Sequence, residues 1–222
     1  FVANGGQEIL YPFQRFIASV GFLDKHQVKF LYQPLELATQ TVARDAFTID
    51  GVTFPAGEPV DVVYGFPFYR VTYLYDFIDG DASLSVGAAL QLRNASIRFT
   101  SADGSLRAVS QNLGPVPAIA VAGKLPFENG LFLGFEATGL YASSAIINGA
   151  DFEFEGSILD ASIRAGTKVD ENAEAFVNLR FLGGSAAGVS QYPSQYWTQS
   201  TQKATANYLA TVTLTLGATL DL

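Results

Sequence analysis

The feature that most constrains this chain is the alternation at its C-terminal end. Tyr208, Ala210, Val212, Leu214, Leu216, Ala218, Leu220 and Leu222 take the even positions, while Thr211, Thr213, Thr215, Gly217, Thr219 and Asp221 take odd ones. Two is the period of a pleated strand, so this segment has one apolar face and one polar or small face. In 82–93, Leu84, Val86, Leu90 and Leu92 alternate with Ser83, Ser85, Gln91 and Arg93, and 159–169 and 174–181 repeat the pattern. Segments 26–39, 62–77, 118–127 and 131–141 read less regularly as strands, which brings the total to eight.

The connections alternate in length. Ile78–Asp81, Glu128–Gly130 and Asp170–Ala173 are tight, with Asp79-Gly80 and Asn129-Gly130 as turn pairs, whereas roughly 40–61, 100–117, 142–156 and 184–205 are long. The first long connection carries its own hairpin signal, Phe47, Ile49, Val52 and Phe54 around Asp50-Gly51. After Leu92 the apolar parity shifts to Ala95, Ile97 and Phe99, which predicts a bulge near Asn94. In the lead-in 1–25, Phe13, Phe16, Ile17 and Val20 have helical spacing, with Pro12 suited to a first turn and Gly21 to a stop. The expectation is a short amphipathic helix over 12–20 followed by strands through 26–222, all in one domain.

Composition decides which face is the core. No stretch approaches 18 consecutive apolar residues, so a transmembrane helix is excluded. The net charge of −8 argues against an electrostatic nucleic-acid binder, and the lack of cysteine excludes disulfides and thiolate chemistry. Charged residues are only 15%, against about 25% in ordinary soluble domains. The polar faces hold Lys29, Arg70, Arg93, Lys124, Arg164, Lys168 and Arg180 with Asp76, Glu136, Asp160, Glu174 and Asp221, set among Ser, Thr, Gly, Gln and Asn. Small residues and arginine suit a narrow interior better than a solvent face. The apolar faces carry aromatics toward strand ends, at Tyr69, Tyr73, Tyr75, Phe77, Phe127, Tyr141 and Tyr208, as an interfacial girdle would.

Eight strands, three tight turns, four long loops and the alternating last strand resemble the small outer-membrane barrels of Gram-negative bacteria, of the OmpA/OmpX and OmpW types. The resemblance covers 26–222 and lies in pattern; a terminal Leu222 departs from the aromatic usual there. It implies an all-β, eight-stranded, antiparallel, up-and-down transmembrane barrel in the bacterial outer membrane, in contact with lipid and lipopolysaccharide. Lipid A palmitoyltransferases and deacylases share this architecture and imply a histidine base near the outer rim. The only histidine, His26, falls instead at the start of the first strand, on the side of the tight turns.

The sequence is therefore read as non-enzymatic: a structural or interaction protein whose interior is closed by ion pairs among Arg70, Arg93, Glu136, Asp160, Arg164 and Arg180. Tyr192, Tyr196 and Trp197 in the last long loop suit contact with a protein or glycan. Asp151, Glu153 and Glu155 alternate with Phe152 and Phe154 and offer a weak site for Ca²⁺ or another divalent ion. Alternatives are a narrow channel for small apolar compounds, a lipid A-modifying enzyme and a soluble lipocalin-like binder. No other cofactor is indicated.

Overall fold

A computed structural model of the chain describes residues 12–49, 51–65, 67–78, 80–143, 154–189 and 204–221. These residues form β-structure throughout, with no helix among them. The strands are β1 (Phe16–Phe22), β2 (His26–Gln33), β3 (Glu36–Val42), β4 (Phe47–Ile49), β5 (Val52–Phe54), β6 (Pro59–Gly65) and β7 (Phe68–Asp76). The long ones follow: β8 (Ser83–Ser101), β9 (Arg107–Pro126), β10 (Leu131–Ser143), β11 (Phe154–Lys168), β12 (Ala173–Val189) and β13 (Ala204–Leu220). The main sheet runs β1-β2-β7-β8-β9-β10-β11-β12-β13, with β3 and β6 paired beside it and β4–β5 as a separate hairpin.

Two expectations are corrected. The segment expected as a helix over 12–20 contains β1, which pairs with β2 from Phe16↔Tyr32 to Phe22↔His26. The helical spacing of Phe16, Ile17 and Val20 was outweighed by a hairpin whose turn holds Leu23 and Asp24 at positive φ, 51° and 60°. The path consequently has nine strands rather than eight. Nor is 100–117 a long loop: β8 and β9 are joined by a tight turn at 102–106, and β9 already includes 107–117. Pro115 and Pro117 hid this strand. Over that stretch β9 pairs only with β8, because β10 joins it from Ile119 onward, so the missing N–H donors fall on a free edge where proline is tolerated.

The other punctuation holds. Gly80 and Gly130 take φ of 114° and 81° in the turns before β8 and β10, and Val169 N–H donates to Ala173 O in the turn before β12. β4 and β5 pair Phe47 with Phe54 and Ile49 with Val52, the hairpin read around Gly51.

The sheet has a tight-turn end and an extended end. β8 and β9 contain 19 and 20 residues, well beyond the about 9–11 that cross a bilayer. Their outer halves join β3, β6 and the β4–β5 hairpin. No bulge interrupts β8, contrary to expectation: the β8–β9 register steps evenly from Ser83↔Lys124 to Thr100↔Arg107. The β7–β8 and β6–β8 registers continue one another likewise. Pro34 and Pro67 fall between the registers Gln33↔Phe68 and Glu36↔Gly65, interrupting the ladder without shifting it. The inner face is therefore one continuous face, and its chemistry changes along its length. Toward the turn end it buries Arg70, Thr72, Gln91, Asp160, Asn178 and Arg180, while Val71, Leu90, Leu92, Ile163, Leu179 and Leu214 are exposed outside. Beyond the prolines the same face buries an ordinary apolar core of Phe54, Val60, Val62 and Ala108 with Ile97 and Phe99 packed against it, and Arg98 is exposed.

Candidate functional site

The site is the interior of the turn-end half. The pleat sends alternate residues of each strand inward, so its polar groups come from eight strands and the segment before β1. The sheet is curled enough for them to meet across the interior: Arg180 of β12 donates from Nη1 to Gln33 of β2 at 2.6 Å.

Three levels of charge follow one another. In the level nearest the extended end, Asp160 accepts two hydrogen bonds from Arg180, Nε to Oδ1 at 2.5 Å and Nη2 to Oδ2 at 2.8 Å. Arg70 Nη2 reaches the same Oδ2 at 2.7 Å and also donates to Gln91 Oε1 at 2.9 Å. All three charged side chains are 5% exposed or less, so neither water nor mobile ions can replace this pairing cheaply. Phe68 is fully buried beneath both guanidinium groups, with its ring centre 5.7 Å from that of Arg70 and 5.8 Å from that of Arg180.

In the middle level Lys29 Nζ donates to Glu136 Oε1 at 2.7 Å. Arg164 and Arg15 approach the same carboxylate only to 3.8 and 4.0 Å. In the level nearest the turns Lys124 binds Glu174 at 2.5 Å and lies over the ring of Phe132 at 4.6 Å, while Arg164 lies over Phe176 at 4.4 Å. Both rings need glycine beside them. A Cβ at Gly166 would stand 2.5 Å from Phe132, and one at Gly217 would stand 2.5 Å from Phe176.

Of the six residues expected to form the ion-pair network, Arg70, Asp160 and Arg180 form one centre and Glu136 with Arg164 belongs to the next. Arg93 sits opposite Phe68 in register, but its side chain lies outside the described residues. Lys168 and Asp221, read as facing inward, are exposed at the turn end, and Asp76 caps its own turn by accepting from the N–H groups of Ile78 and Leu84. Arg15 was missed. Reading 12–20 as a helix hid its parity with Ile17, which borders the same part of the interior. Gln33 and Gln91, each 2% exposed or less, were also missed because sequence pattern singles out charge, and here their amide oxygens accept from Arg180 and Arg70.

Elsewhere, Tyr192, Tyr196, Trp197, Asp151 and Glu153 lie outside the described residues. Glu155 is exposed and accepts a hydrogen bond from Tyr141 Oη at 3.0 Å. Among the described residues no group of three metal-ligating side chains assembles. His26 stands at the turn end, where Nδ1 lies 2.7 Å from Tyr73 Oη and the ring stacks on Phe22. It meets no carboxylate or nucleophilic hydroxyl in these contacts. At the far tip, the turn between β8 and β9 is tied by Asp103, which accepts from Ser101 Oγ at 2.6 Å and from Ser105 N–H at 3.0 Å; these bonds hold its carboxyl down to about 2.

Chemically the interior gathers six cations around three carboxylates among the described side chains. Among the described residues its carboxylates are each paired with arginine or lysine. Compared with protein-family models, with curated proteins and with solved structures, the chain matches none of them.

Proposed function

We propose that the chain is a transmembrane β-barrel of the bacterial outer membrane whose interior is closed by ion pairs. It acts without enzymatic chemistry, as a structural or interaction protein presenting its extended end to a partner protein or glycan. One observation carries this reading: a single continuous inner face buries ion pairs among polar, small and apolar side chains such as Leu74, Ala120 and Phe132 in one half, and an apolar core in the other. Water outside the extended half explains its ordinary core. The turn-end half is the inverse, with Arg180 at 2% exposure inside and Ile163 at 66% outside, and an apolar solvent around it explains that inversion.

Supporting features point the same way. The outward aromatics Tyr69, Tyr73, Phe77, Phe127 and Phe22 are exposed, and several fall at the turn end, where an interfacial girdle belongs. The wall would close between β1 and β13. Eight successive antiparallel pairings separate these strands, so both run the same way and the closing seam is a parallel one. Leu209 of β13 and Phe13, just ahead of β1, both pack on the cluster formed by Leu31, Leu35, Phe68 and Leu182.

The protein should require detergent for solubility and migrate differently on gels before and after heating. In planar bilayers it should give little steady conductance, because Asp160, Arg70 and Arg180 occupy the narrow interior. A monodisperse monomer in plain buffer overturns the membrane reading, and a large stable pore overturns the closed interior in favour of a channel. Closure has its own test. The chain has no cysteine, so single cysteines placed in pairs along β1 and β13 should yield an intramolecular disulfide for at least one pair. If every pair stays reduced under oxidation while neighbouring β12–β13 control pairs close, the sheet remains open at this seam.

A further inference from the structure

The charges inside do not balance. Arg15, Lys29, Arg70, Lys124, Arg164 and Arg180 face Glu136, Asp160 and Glu174, a surplus of three positive charges among the described side chains. Asp160 is saturated by Arg70 and Arg180, and Glu174 is taken by Lys124. The surplus therefore falls on the middle level, where one carboxylate, Glu136, serves Lys29, Arg164 and Arg15. Arg15 is 12% exposed, and its Nε is buried without a hydrogen-bond partner. Beside Arg70, the Nε2 of Gln91 is a second buried donor without an acceptor.

A lysine in this position could shed its proton, but a guanidinium stays charged. Arg15 shares one carboxylate with Lys29 and Arg164 and stays 4.0 Å from it, so its buried charge is poorly neutralised and a further anion would relieve it. The space for one is present. Arg15, Lys29, Arg70, Thr72, Thr138 and Glu136, together with as many apolar side chains, line a partly open cavity of about 30 Å³, room for a species the size of one or two waters. We propose that this cavity binds a small inorganic monoanion of the size of chloride, with Arg15 as its principal donor and Lys29 and Arg70 setting the positive potential. Thr72 and Thr138 bring hydroxyl donors to the same space. Glu136 is the competing anion. Arg15 precedes β1, so the bound ion also ties the start of the chain to the middle of the wall. The site rests on the interior geometry and not on the location in a membrane.

The experiment is thermal unfolding of the detergent-solubilised protein in sodium chloride and in sodium gluconate at equal ionic strength. Chloride should raise the midpoint saturably, and gluconate, too large for the cavity, should not. Arg15→Gln should abolish the chloride-dependent rise. Glu136→Gln should shift it to about tenfold lower chloride, since a unit charge near 4 Å at an effective dielectric of about 20 is worth more than that factor. Equal midpoints in the two salts for the unmodified protein overturn the proposal, as does an unchanged chloride response in Arg15→Gln. Should Arg15→Gln fail to fold, chloride NMR on the unmodified protein decides: excess line broadening displaced by bromide supports the site, and its absence overturns it.

Discussion

Asp160→Ala is expected to be the most damaging single substitution in the interior, at about 3–5 kcal/mol of unfolding free energy, because it strands two buried cations at once. Arg180 loses both hydrogen bonds to the carboxylate and keeps only Gln33; Arg70 keeps only Gln91. Both guanidinium groups are at most 5% exposed, so water must enter or the wall must loosen. Urea unfolding in detergent micelles measures the loss. The reciprocal substitution Arg180→Met should cost less, since Asp160 retains Arg70. Combined with Asp160→Leu, Arg180→Met should recover part of the single-variant loss, and the double-mutant cycle gives the coupling directly. A loss below about 1 kcal/mol for Asp160→Ala, the range of an exposed ion pair, would mean that this network contributes little to the wall.

Ile163→Arg distinguishes the two solvents that the outer face could meet. Ile163 lies mid-strand in a lateral row, Phe135↔Ile163↔Leu179↔Leu214, in which every member is exposed. On a water-facing surface, arginine there would change stability by no more than about 0.5 kcal/mol and would improve solubility. At the middle of a bilayer it should cost about 2–4 kcal/mol. Folding into lipid vesicles, followed by the heated-versus-unheated gel shift and urea titration, reads the difference. Ala102→Arg, at the exposed tip between β8 and β9, is the control and should be neutral. A neutral outcome at Ile163 would remove the inverted surface as an argument for a membrane.

Both predictions draw on features of unequal legibility. The outward row was plain in the alternation of 159–169, 174–181 and 208–222, because a period of two assigns faces without knowledge of partners. The pairing of Asp160 with both Arg70 and Arg180 was not. Those residues lie on β11, β7 and β12, and nothing in local sequence says how far a sheet curls or which inward residues share a level. Arg15 was concealed by a local conflict, since helical spacing in 12–20 competed with a hairpin that only pairing with β2 stabilises. The proline-bearing half of β9 was concealed similarly, because its tolerance depends on a free edge.

The sequence by itself determined the regularly alternating strands, three of the tight turns and the division of those strands into an apolar and a polar face, since pleat period and turn stereochemistry are local properties. Only the tertiary structure decided that the apolar face points outward at one end and inward at the other on one continuous pleat. It alone placed β1 as a ninth strand, and it alone gathered six cations around three carboxylates. Burial is a relation between strands distant in sequence, and charge balance is a property of the enclosed volume they share, so neither is written in any one segment.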